Sequence, residues 1–117
     1  MNLADENALL GIAARIEYER KNLPRVSLVV TRHPGLVAYL KTQRLVSYRV
    51  RVITHASAQD VRDQHVLGVL PHSLSCLTRA FTEVPLDLPP ELRGKELSEA
   101  DVAEYAAKPV TYIVTKK

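Results

Sequence analysis

The sequence predicts an α/β domain: a mostly parallel five-stranded sheet with helices on both faces. Three observations predict it. Residues 26–30 (VSLVV), largely β-branched, and 65–70 (HVLGVL) are short apolar runs, the makeup of strands covered on both faces. Both lead through a proline into a segment with helical spacing, and strand–helix alternation with short connections gives a parallel sheet. Finally, 117 residues with 46% hydrophobic and 25% charged content can bury one core of ordinary size but not two. Residues 1–117 therefore read as a single domain, with an N-terminal helical extension over 1–24 and a core over 25–117.

The elements follow in order. Leu9, Ile12, Ala13 and Ile16 stand at i, i+3, i+4 and i+7, one face of an amphipathic helix over 5–20 that Leu23-Pro24 ends. The strand at 26–30 leads to a helix over 34–43, where Leu36, Val37 and Leu40 share a face and Pro34 suits the first turn. Residues 48–54 (YRVRVIT) alternate polar with apolar and read as an edge strand, and the polar stretch 56–64 has room for one helical turn. After the strand at 65–70, a helix over 72–80 is entered through Pro71. Residues 81–87 read as a fourth strand, and Pro85 within it argues for an edge or a bulge. Ser98 and Asp101 supply an N-cap and an acidic first turn for the last helix. Residues 110–115 (VTYIVT) make the fifth strand, whose direction the pattern leaves open.

Composition narrows the function. No segment approaches the ~20 apolar residues of a membrane span, and the opening residues lack the basic-then-apolar layout of a secretory signal, so a cytoplasmic chain with no membrane partner is expected. The lone Cys76 cannot pair within the chain and reads as a small buried hydrophobe. The net charge is +3, and the basic excess falls in residues 1–60, with nine basic and five acidic residues against seven and eight in the remainder. So mild a charge suits a compact anionic ligand and not a long nucleic-acid track. The histidines form no i, i+4 pair, no cysteine or carboxylate cluster has metal-ligand spacing, and G-x-S-x-G is absent. No metal and no cofactor is expected.

Ligands of open parallel sheets bind outside the carboxyl ends of the strands. The first strand exits into Thr31-Arg32-His33-Pro34-Gly35, the second into Thr54-His55, and the third into Pro71-His72-Ser73. The fourth leads to a loop bearing Arg93 and Lys95. Three of the four histidines thus fall at predicted carboxyl ends, while His65 opens its strand on the opposite rim. A strand turning directly into a helix presents free backbone N–H groups and the positive end of a helix dipole to an anion. Gly35 would let a phosphate approach the backbone, Arg32 offers a planar fork to its oxygens, and Thr31 adds a hydroxyl. His33 can exchange a proton near neutral pH. His72 and Ser73 are candidates for a second acid/base or phosphate donor, His55 is a weaker one, and Arg93 and Lys95 could close over the ligand. A purely local role stays open: Thr31 or His33 could cap the helix, with Arg32 in solvent.

Three stretches, VVTRHPGLVAYLK (29–41), VLGVLPHSLSCL (66–77) and VPLDLPPELRGKELSEADV (84–102), resemble a family of small accessory proteins of type III CRISPR systems. These are regarded as Rossmann-like ring nucleases that degrade cyclic oligoadenylate messengers. The resemblance implies a Rossmann-like core, a homodimer, and a pocket that binds cyclic tetra-adenylate and cuts it without metal. It implies that Arg32 and the N–H groups around Gly35 hold the phosphorane oxygens. His33 would then serve as general acid or base, with His72 as its complement. The first 24 residues lie outside the resemblance. Two rivals use the same residues: a module that binds the cyclic nucleotide without cutting it, and an interaction protein whose polar rim has no ligand. A histidine phosphatase is disfavoured because Pro34 separates His33 from Gly35 and the chain is short for that fold.

Overall fold

Leu28, Val29 and Val30 are buried on both sides of the first strand, and the rest of the molecule is arranged around them. The computed structural model describes residues 23–117, so the helix expected over 5–20 lies outside the described residues. In chain order the elements are β1 (Leu28–Val30), α1 (Pro34–Thr42), β2 (Arg51–Ile53), α2 (Ala58–Val61), β3 (His65–Gly68) and α3 (His72–Ser75). There follow β4 (Ala80–Glu83), a 3-10 turn at Pro90–Leu92, α4 (Glu99–Tyr105) and β5 (Val110–Tyr112).

The strands form the expected five-stranded sheet, in the order β2-β1-β3-β4-β5. The first four are mutually parallel, and β5 runs antiparallel to β4, which answers the direction the sequence left open. Alternation along each strand sorts the core into two layers. Val29 and Leu67 face Leu36 and Leu40 of α1 and Val102 of α4. Leu28, Val30, Val66 and Phe81 face Val61 of α2 and Leu74 of α3. Helices therefore cover both faces. Because β2 and β3 lie on opposite sides of β1, the chain reverses its direction of winding there. That reversal is the topological switch point at which open α/β sheets leave a crevice.

The last helix starts as the sequence suggests, with Ser98 and Asp101 in a reciprocal capping box at α4. Residues 56–64 supply the expected single turn, α2, and Ser57 and Asp60 form a second, unanticipated box there; each box is worth about 1 kcal/mol. Three other expectations need correction. The helix expected over 72–80 is a single turn ending at Ser75. Thr78 Oγ1 donates to the Ser75 carbonyl at 2.6 Å and Leu77 N–H to the Leu74 carbonyl at 3.0 Å, so local bonds tighten the backbone before Arg79 N–H joins the Gln64 carbonyl. The fourth strand, expected over 81–87 as an edge or with a bulge at Pro85, is interior and stops at Glu83. Pro85 lies beyond it and offers only its carbonyl, which accepts the Ala107 N–H at 2.8 Å. Cys76 is half-buried rather than buried, its thiol 3.5 Å from the Ser73 carbonyl. Among the described residues no helix is long and apolar enough to cross a membrane.

Candidate functional site

Register brings the strand exits level with one another. Val30 pairs with Ile53 on one side and Gly68 on the other, so Thr31-Arg32, Thr54-His55 and Val69-Leu70 emerge side by side. Thr31 N–H donates to the Ile53 carbonyl and Val69 N–H to the Val30 carbonyl, which fixes the three exits together. Gly68 makes this possible. Its φ is +142°, and a Cβ there would lie 2.0 Å from the Val30 oxygen, so only glycine allows β3 this close to β1.

The result is a cleft of about 470 Å³ at the carboxyl edge, walled by Val30–His33, Thr54–Ala56, Val69–Pro71 and Leu74. A second cleft of about 460 Å³ adjoins it on the α1 side and shares Thr31, Arg32, His33 and Thr54. Among the described residues no carboxylate lines either cleft, whereas Arg32, His33, His55 and Lys41 do. The described ion pair, Arg51–Asp60 at 3.1 Å, involves none of them. Low-dielectric walls around one sign of charge make this edge attractive to an anion. Among the described residues no group of three or more His, Cys, Asp or Glu could hold a metal ion.

The Thr31–His33 turn is built locally. Thr31 is 8% exposed, and its Oγ1 accepts the His33 N–H at 3.1 Å. His33 stands at the N-cap of α1 in extended backbone, and its carbonyl accepts the Leu36 and Val37 N–H groups, but its imidazole makes no capping bond. Its Nδ1 is buried without a hydrogen-bond partner among the described residues. An unpartnered buried ring nitrogen is costly and uncommon, and it is often found where a group is held for chemistry. Arg32 is exposed beside it, with no described carboxylate partner.

Other candidates fall elsewhere. His72 and Ser73 line a separate cleft of about 500 Å³ with Cys76, Leu77 and Val114–Lys116. Helical spacing explains the divergence: Pro71 and Leu74, three apart, face the first cleft, while His72/Cys76 and Ser73/Leu77, four apart, face the other. Within one protomer His72 is thus not beside His33. Arg93 and Lys95 are exposed on the 3-10 loop, Arg93 Nε bonding the Leu88 carbonyl at 3.3 Å, and neither lines the two clefts. Gly35 also needs a different explanation from ligand approach. A Cβ on it would lie 2.1 Å from the Leu97 oxygen, so its bare Cα lets α1 close on the backbone leading into α4.

His55 gains weight. It lies just past an edge strand, as its sequence context suggests, but the parallel register carries it back to the first cleft. Lys41 and Tyr48 were not singled out by the sequence, and Thr54 was named only as part of the second strand's exit. The spacing Pro34, Val37, Ala38, Lys41 was the available signal, since all four lie on one stripe of α1 facing the second cleft. His65 sits on the opposite rim, buried, with Nδ1 2.7 Å from the Pro24 carbonyl and Nε2 2.7 Å from Thr82 Oγ1.

Fold and site together define a small α/β protein with a cationic, imidazole-bearing crevice at the switch point of a parallel sheet. Residues 28–115 match the family described as "Putative CRISPR-associated protein (Cas_VVA1548)", and the chain belongs to that family. No curated protein and no solved structure matches it.

Proposed function

We propose that this CRISPR-associated protein is a ring nuclease, binding cyclic oligoadenylate at the Arg32–His33 crevice and opening it without a metal. The observation that carries the reading is the crevice itself: Arg32, His33 and His55 converge at the switch point with no carboxylate among its described walls. The preferred ring is cyclic tetra-adenylate, and two copies of the chain would present the crevice twice to a symmetric ligand.

The chemistry needs little from the protein. A ribose 2′-oxygen attacks the adjacent phosphorus, the P–O5′ bond breaks, and a linear product with a 2′,3′-cyclic phosphate and a free 5′-hydroxyl remains. The 2′-hydroxyl loses a proton and the departing 5′-oxygen gains one. His33 and His55 are the two groups of the crevice suited to that exchange. Arg32 neutralises the phosphorane oxygens, and holding the 2′-oxygen in line with the leaving oxygen supplies most of the remaining rate.

Incubating the protein with cyclic tetra-adenylate in EDTA, with products resolved by mass spectrometry, tests the reading. Linear products ending in 2′,3′-cyclic phosphate are expected, and Arg32→Ala should reduce both binding and cleavage. Tight binding with an intact ring would make the protein a sequestering module. Absence of both binding and cleavage refutes the reading.

A further inference from the structure

Tyr48 stands in the loop before β2 with 82% of its surface exposed, the most open large hydrophobic side chain among the described residues. A single exposed ring is ordinary in itself; what distinguishes this one is where it stands. Tyr48 lines the second cleft, whose other walls include Val37, Ala38 and Val52, and which shares Arg32 and His33 with the first. Lys41 Nζ lies 5.0 Å from the centroid of the Tyr48 ring, a cation–π contact that holds the ring on this side of α1.

A cleft with apolar walls at Val37, Ala38 and Val52, an exposed aromatic ring and an ammonium group thus adjoin Arg32. We propose that Tyr48 is the nucleobase platform of the site: with a phosphate at Arg32, a purine attached to the same ribose stacks on the Tyr48 ring in the second cleft. This rests on the phosphate reading of Arg32. The chain has few aromatics, 5% of its residues, so one ring placed here would carry much of the discrimination between a nucleotide and a bare sugar phosphate. Lys41, beside the ring, adds donors within reach of purine nitrogens and positive charge near the ligand.

The test uses adenosine 5′-monophosphate and ribose 5-phosphate as probes, titrated into the ¹⁵N-labelled full chain as wild type, Tyr48→Phe and Tyr48→Ala. Wild type and Tyr48→Phe should bind the nucleotide more tightly than the sugar phosphate. Tyr48→Ala should lose that preference, weakening nucleotide binding roughly 5- to 140-fold, while its affinity for ribose 5-phosphate and its melting temperature stay unchanged. A nucleotide preference that survives in Tyr48→Ala overturns the platform and leaves the phosphate reading intact, as does a wild type that binds both probes equally. If ribose 5-phosphate fails to perturb Arg32 and His33 in wild type, the phosphate reading fails and the platform with it.

Discussion

His33 and His65 occupy opposite ends of the same parallel sheet, and their surroundings differ in kind. At the amino rim, the Pro24 carbonyl can only accept, so His65 Nδ1 carries the proton; in the neutral ring Nε2 then accepts from the Thr82 hydroxyl. Thr82 Oγ1 in turn lies 2.7 Å from Thr111 Oγ1, so the chain of bonds ties β3, β4 and β5 together. Every polar atom of that imidazole is used by the fold. At the carboxyl rim, His33 has a buried Nδ1 with no described partner, and the neighbouring Arg32 has no described counter-ion. One end of the sheet uses its histidine to hold strands together, whereas the other leaves polar capacity unspent. The difference separates a histidine whose ring nitrogens are both used by the fold from one with a ring nitrogen left unpartnered.

The contrast breaks most sharply under paired substitution. His33→Ala should lower cleavage of cyclic tetra-adenylate about 10²- to 10⁴-fold, the usual range for removing an acid/base group, while leaving the melting temperature in place. His65→Ala should do the reverse. It orphans the Pro24 carbonyl and opens a void, costing about 2–4 kcal/mol in denaturant unfolding, with the turnover of the folded fraction preserved. If His33→Ala unfolds the protein and cleaves normally once folded, the assignment is inverted.

Next in size is Gly35→Ala. The added methyl meets the Leu97 and Ser98 backbone, which cannot swing aside as a side chain can, so a loss of about 1–3 kcal/mol is expected. Urea titration measures it. A variant as stable as wild type would mean that α1 and α4 tolerate separation, and that the glycine serves the ligand after all.

A smaller effect is pH-dependent. The Asp60 carboxyl is held below the ordinary aspartate range, first by the Ser57 backbone N–H, then by the Ser57 hydroxyl and Arg51. A depressed value means the stabilisation is present above the unfolded-state value and is lost as pH falls through the folded-state one. The α2 cap beside the His55 turn should therefore hold at neutral pH and weaken only at pH values below the ordinary aspartate value. Amide exchange at Ser57 followed against pH checks this, and Asp60→Asn should remove the dependence. The smallest expected change is from His72→Ala, which lies outside the crevice of its own protomer: cleavage should alter less than about 2-fold. A large loss would mean that a second copy of the chain brings its His72 to the site.

Much of this was legible in sequence because it is local. A buried β-branched run that ends in Thr31-Arg32-His33 states both the strand and its polar exit within six residues of one another. Ser98 and Asp101 likewise announce their helix. What could not be read depends on partners distant in the chain. Gly35 is explained by Leu97, the direction of β5 by pairing with β4, and the value of His55 by the register of β2 on β1. The separation of His72 from His33 turns on one detail, the azimuth of a single helical turn, to which a strand-end rule is blind.

The most direct measurement follows the four imidazoles by long-range ¹H–¹⁵N correlation as cyclic tetra-adenylate lacking its 2′-hydroxyls, and so unable to be cut, is added. The account predicts that the His33 and His55 resonances move with ligand while those of His65 stay fixed. Movement of His65, with His33 and His55 unmoved while the ligand is bound, would contradict it.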